Sequence, residues 1–143
     1  MPGLYYVKGN ISLSGQSTLA ANGVTIVSAG TLDLSGGTVS TFTAPTTDDV
    51  TSTGGLPGIL FASSSTSSSS FTGNAAVPYT GLIYYPKGQV RFTGNATDGS
   101  SGCSEIIADS VTLTGNANLG SNCSQYGTKT FGSALTYSVA LVE

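Results

Sequence analysis

Thr72-Gly73-Asn74, Thr93-Gly94-Asn95 and Thr114-Gly115-Asn116 are separated by two equal steps of 21 residues. A fixed step of that size marks a repeat architecture, in which each unit buries its apolar face against the next. Upstream, Ser14-Gly15 and Ser35-Gly36 keep the same 21-residue step. Aligning these glycines places Leu13, Leu34, Phe71, Phe92 and Leu113 two positions before the Gly, and Ile11, Leu32, Ser69, Val90 and Val111 four before. Nine of those ten are apolar, and the residues between them are Ser12, Asp33, Ser70, Arg91 and Thr112. That alternation has the period of a strand with one buried face.

A second set of strands precedes the first by a few residues: Gly3 to Val7, Gly23 to Val27, Gly58 to Ala62, Gly81 to Tyr85 and Ser104 to Ala108. Their starts step by 20, 35, 23 and 23 residues. The long step contains a Pro-, Gly- and Asp-bearing stretch, about 41–57, that reads as an inserted surface loop. Two or three short strands per ~21 residues, with Gly and Asn at the corners, predict an all-β fold. Its form is a single-stranded parallel β-helix, a solenoid whose coils stack at about 4.8 Å. The expectation is one domain over 1–143, about six coils, right-handed by the usual crossover chirality. An antiparallel sandwich or jelly roll also uses short strands with frequent turns, but the constant 21-residue step counts against it. Asn74, Asn95 and Asn116 should stack at one corner as an amide ladder.

Composition agrees. Gly, Ser and Thr number 20, 22 and 20 of the 143 residues, which disfavours helical bundles, while recurrent Val, Leu, Ile, Phe and Tyr supply a core. The chain has no His, two Cys, four cations and seven acids, so most of the usual catalytic groups are missing and no enzyme is expected. With a net charge of -3 and no basic cluster, nucleic acid and anionic membranes are excluded as partners. No stretch reaches the roughly 18 apolar residues of a membrane span, and the chain reads as an excised, soluble segment without a signal peptide.

Cys103 and Cys123 are 20 residues apart, about one coil, which places them on neighbouring coils at a Cα separation that a disulfide accepts. Pairing implies an oxidising compartment, whether periplasm, cell surface or medium. Two unpaired buried thiols are the alternative. Two thiolates with no His lack the remaining ligands of a metal centre, so neither metal nor cofactor is expected.

The run from Gly58-Ile59-Leu60-Phe61 through Gly81-Leu82-Ile83-Tyr84-Tyr85-Pro86, Cys103-Ser104-Glu105-Ile106-Ile107-Ala108-Asp109 and Gly120-Ser121-Asn122-Cys123 to Val139-Ala140-Leu141-Val142-Glu143 resembles the C-terminal region of TadG-like pilus-assembly proteins of Gram-negative bacteria. The most specific parts are the two Cys flanking the Ile-Ile-Ala-Asp strand and the terminal Val-Ala-Leu-Val. The resemblance implies a setting in tight-adherence (Flp-type) pilus machinery, which serves surface attachment. It carries over no catalytic residue.

Several groups are candidate sites. Lys87 and Asp109, 22 residues apart, could face each other across adjacent coils with Arg91 nearby, as in polysaccharide lyases, although a surface ion pair is the simpler reading. Asp48 and Asp49 are too few ligands for calcium and read as a solvated loop. Ser14, Ser35, Thr72, Thr93 and Thr114 form a hydroxyl column of the kind that orders water on ice-binding faces, interrupted next door by Asp33 and Arg91. Ser63 to Ser70 reads as a flexible Ser-rich loop or a glycosylated segment. Tyr5, Tyr6, Tyr79, Tyr84 and Tyr85 could stack on sugars, but a column of Tyr6, Ile26, Phe61, Tyr84 and Ile107 would bury most of them. Neither the start at Gly3-Leu4 nor the apolar Tyr137 to Val142 carries a capping helix, so both ends look open to stacking. The expected role is a non-catalytic extracellular structural or adhesion module whose partners are itself or pilus components; the alternative is a solenoid that binds ice or surface polysaccharide.

Overall fold

The computed structural model describes residues 1–35, 38–46, 54–73, 79–94, 103–115, 123 and 126. The first coil carries β1 (Gly3–Val7), β2 (Ile11–Ser12) and β3 (Thr18–Ala21), and the second carries β4 (Val24–Ser28), β5 (Leu32–Asp33) and β6 (Thr38–Thr43). β7 (Ile59–Ser63) and β8 (Ser69–Gly73) follow, then the long β9 (Tyr79–Gly94) and β10 (Ser104–Thr114). Every pairing among these strands is parallel. The protein is a parallel β-solenoid with three faces. The first sheet stacks β1, β4, β7, β9 and β10; the second stacks β2, β5, β8, β9 and β10; the third stacks β3, β6 and the start of β9. β9 bends through two corners and so contributes to all three.

The solenoid has about four turns and not the six expected. The 35-residue step from Ile26 to its partner Phe61 is one turn, and residues 127–143, from which a further coil was expected, lie outside the described residues. The insertion is also narrower than 41–57. Thr41, Phe42 and Thr43 complete β6, and Phe42, Ala44 and Pro45 are buried. On the return side the fully buried Thr25 hydroxyl accepts the Leu56 N–H at 2.9 Å and donates to the Ile59 carbonyl at 2.9 Å. The hydrogen-bonding needs of a buried hydroxyl hold residues 56–59 against the coil.

The predicted alternation on the second sheet is the observed register: Phe71↔Phe92↔Leu113, Ser69↔Val90↔Val111 and Asp33↔Ser70↔Arg91↔Thr112. Ser69, the polar exception in the inward column, is fully buried and accepts the Leu32 backbone N–H at 3.0 Å. Phe71 stacks on Phe92 with ring centroids 5.0 Å apart and packs edge-to-face with Tyr79 at 5.4 Å; Phe42 packs edge-to-face with Tyr79 at 6.3 Å. Burial in this aromatic cluster pushes the Tyr79 phenol well above its ordinary pKa of 10.0.

Corners obey local chemistry. Between the third and first sheets the chain turns at Gly23, Gly58 and Gly81, all with positive φ, a conformation that costs a residue with a Cβ. On the next coil Ser104 lies opposite Gly81, and the Cys103 carbonyl accepts the Gly81 N–H at 2.9 Å. Between the first and second sheets the corner is made by serines. Ser28 Oγ donates to the Gly9 carbonyl at 2.8 Å and Ser63 Oγ donates to the Gly30 carbonyl at 2.7 Å. The 63–70 run is therefore not a flexible loop. Ser63 ends β7, Ser69 and Ser70 begin β8, and the Ser65 and Ser67 N–H groups donate to the Ser63 and Ser65 hydroxyls.

Candidate functional site

The first-sheet register differs by one residue from the expected tyrosine column. Tyr5, Ile26, Phe61, Ile83 and Ile106 form one rung series, while Tyr6, Val27, Ala62, Tyr84 and Ile107 form the next. A bulge between Ile59 and Phe61 places the fully buried Leu60 in the core and moves Phe61 opposite Ile83. Successive strand residues face opposite sides, so the two series separate into an inward and an outward column. Phe61 and Ile83 are buried, whereas Tyr6 is 67% and Tyr84 43% exposed. Tyr79 and Tyr85 are buried, and Tyr85 gives its hydroxyl to the Ser67 carbonyl at 2.6 Å. Of the five tyrosines considered, Tyr5, Tyr6 and Tyr84 are the exposed ones.

The outward column forms a shallow groove of about 230 Å³. Tyr6 and Tyr84 stand at its two ends, three rungs or roughly 14 Å apart, with the small side chains of Val27 and Ala62 between them. Ser64 and Lys87 also line the groove, and Lys87 is the one charged residue among the described residues that do. Neither the Tyr6 nor the Tyr84 hydroxyl bonds to another described residue.

Lys87 and Asp109 do lie on adjacent rungs. The register passes from Tyr85↔Ala108 to Gln89↔Ser110, so Pro86, Lys87 and Gly88 lie opposite Asp109 alone. Both charged side chains are exposed, and no ion pair joins them. Arg91 is also exposed, but on the second sheet, two rungs from Asp33 with Ser70 between. Asp33 uses Oδ1 to accept the Ser35 N–H at 2.9 Å. These charges do not converge on one point, and no three metal-ligating side chains cluster among the described residues.

In the hydroxyl column, Thr72, Thr93 and Thr114 occupy consecutive rungs, while Ser14 and Ser35 are exposed on the first two coils. Asn74, Asn95 and Asn116 of the corner ladder, and Asp48 and Asp49, lie outside the described residues. Cys103 and Cys123 form a disulfide with Cα atoms 4.6 Å apart, about one rung spacing, and both are buried.

The first coil presents a second surface. Among the described residues β1, β2 and β3 each pair on one side only. Tyr5 belongs to the inward column yet is 44% exposed, and it borders a cavity of about 260 Å³ with Met1, Leu19, Ala21, Val24 and Ile26. The third sheet and the apolar outward column were not singled out from the sequence. The third sheet's residues lack a repeated Gly, and the outward column is hidden by two one-residue offsets, the pairing of Gly3 with Val24 and the bulge before Phe61. Searches of protein-family models, of curated proteins and of solved structures return no match to the chain.

Proposed function

We propose that the chain is a non-catalytic structural or adhesion module, akin to the surface domain of a TadG-like pilus-assembly protein, that stacks end to end through its first coil. The observation that carries this reading is the open inward column at Tyr5, beside an edge of β1 that pairs with no other described residue. An unpaired strand edge bordered by apolar side chains is a template for another β-coil. The Cys103–Cys123 disulfide is compatible with an extracellular or periplasmic location. Among the described residues no helix is long and apolar enough to cross a membrane.

Light scattering and negative-stain electron microscopy across a concentration series test the proposal. End-to-end oligomers or filaments that are lost in Leu4→Lys, a charge placed on the exposed edge strand, support it. A monomer at every concentration overturns it. Ligand binding is the second reading, favoured by the Tyr6–Tyr84 groove. Ice binding is the weaker form, because the charged Asp33 and Arg91 share a column beside Thr72, Thr93 and Thr114.

A further inference from the structure

We infer that the Tyr6–Tyr84 groove is a binding site for a carboxylate-bearing polysaccharide. This rests on the ligand-binding reading and is independent of end-to-end stacking. The molecule contains its own comparison. The second sheet is built from the same repeat, and its outward column is Ser12, Asp33, Ser70, Arg91 and Thr112, polar on every rung. The backbone thus places no demand for apolar side chains on an outward column. On the first sheet that column is nevertheless Tyr6, Val27, Ala62, Tyr84 and Ile107.

The order along the column matters. Two large amphipathic rings enclose two small side chains, which leaves an apolar floor spanning three rungs. A ligand that fits must be an extended chain with flat apolar faces and hydroxyl-bearing edges, and a chain of pyranose rings has both. Sugar C–H faces lie on Tyr6 and Tyr84, and the unbonded phenol hydroxyls and the exposed Ser64 meet the sugar hydroxyls. A groove of about 230 Å³ lies near the lower end of small-ligand sites, as suits a subsite for one or two sugar rings.

Lys87 sets the charge preference. Among the described residues it is the one charged group lining the groove, and Asp109 on the next rung forms no ion pair with it, so the ammonium group is available to a uronate carboxylate. Tyr85, adjacent in sequence to Tyr84, contributes nothing to the ligand because its ring is buried and its hydroxyl is bonded to Ser67.

The test titrates the intact, disulfide-bonded chain with oligogalacturonate and with the same oligosaccharide as its methyl ester, followed by calorimetry. Oligogalacturonate should bind, and more tightly than the ester. Tyr84→Ala should weaken both by about tenfold through loss of one stacking ring, while Tyr84→Phe, which keeps the ring, should largely retain binding. Lys87→Gln should remove the preference for the acid and leave ester binding intact. Tyr84 and Lys87 are exposed, and a thermal melt of each variant checks that the fold survives. Absence of oligogalacturonate binding up to millimolar concentration, or full binding by a folded Tyr84→Ala, overturns the site. Equal affinity for acid and ester overturns the carboxylate assignment. Either failure leaves the stacking reading untouched, since that is decided by oligomeric state.

Discussion

The hydroxyl of Ser63 donates a buried 2.7 Å hydrogen bond to the carbonyl of Gly30, on the coil before it. Ser28 does the same to Gly9, and the phenol of Tyr85 reaches the Ser67 carbonyl. Three successive coils therefore close the same corner with a side-chain donor from the end of the first-sheet strand. A backbone carbonyl at a turn has no ladder partner, and burial without one is costly.

Replacing Ser63 by Ala removes the donor and strands the Gly30 carbonyl and the Ser65 N–H. The expected loss is about 1–3 kcal/mol, read from urea unfolding with an unchanged slope. An unaltered midpoint would show that water satisfies this corner.

Gly88 lies against the ring of Tyr85 and the Ser67 carbonyl, so a Cβ there would overlap both. Gly88→Ala should destabilise the fold by about 1–3 kcal/mol through overpacking. Gly9→Ala, at another corner where a Cβ would meet nothing within 4 Å, should cost much less. Paired thermal melts of the two variants decide it, and equal melting temperatures would contradict the packing argument.

Phe71 stacks on Phe92 and edges onto Tyr79, and it is fully buried. Phe71→Ala should cost about 3–5 kcal/mol and weaken the near-ultraviolet circular dichroism of the cluster. Thr72→Ala, one residue along on the outward face, should have a small effect.

Reducing the Cys103–Cys123 bond frees a 20-residue loop in the unfolded chain. The expected loss is about 3 kcal/mol, measured as the shift in denaturation midpoint with and without reductant. Thiol titration of the unreduced, denatured chain should detect no free sulfhydryl.

The Tyr79 phenol has its pKa raised above 10.0 in the fold by burial. Its folded pKa exceeds the unfolded one, so its contribution is fully present below pH 10 and is lost as pH rises beyond that, when the unfolded chain ionises first. Stability should therefore fall progressively as pH rises above about 10, the ordinary tyrosine value. In Tyr79→Phe that component of the slope should vanish. A slope identical to wild type would assign the pH dependence to other groups.

The second-sheet register was legible because Thr-Gly-Asn at 21-residue steps pins Phe71, Phe92 and Leu113 onto one column, and no bulge intervenes between β8 and β10 there. The Cys pairing was legible for the same reason, since 20 residues is close to one coil and Cα atoms one rung apart suit a disulfide. The first sheet was less legible. A one-residue bulge at Leu60 exchanges the faces that Tyr84 and Ile83 would otherwise take, and the alternation alone does not reveal which residue is looped out. The Ser63 to Ser70 run misled by composition. Serine-rich stretches are usually unpacked, but here two of the hydroxyls are buried, bonded to backbone groups of the neighbouring coil.

By itself the sequence determined the all-β class, the parallel coiling, the inward column of the second sheet and the disulfide, because all four follow from a period and a spacing. The tertiary structure alone decided the turn count, the true limits of the insertion, the corner hydrogen bonds and the separation of Tyr6 and Tyr84 from Tyr5 and Tyr85. Those depend on register between strands distant in sequence. A slip of one residue reverses which side chains face water, and the pairing of Gly3 with Val24 together with the packing of Leu60, Phe61 and Ile83 in the core gives the register that puts Tyr6 and Tyr84 on the outward face.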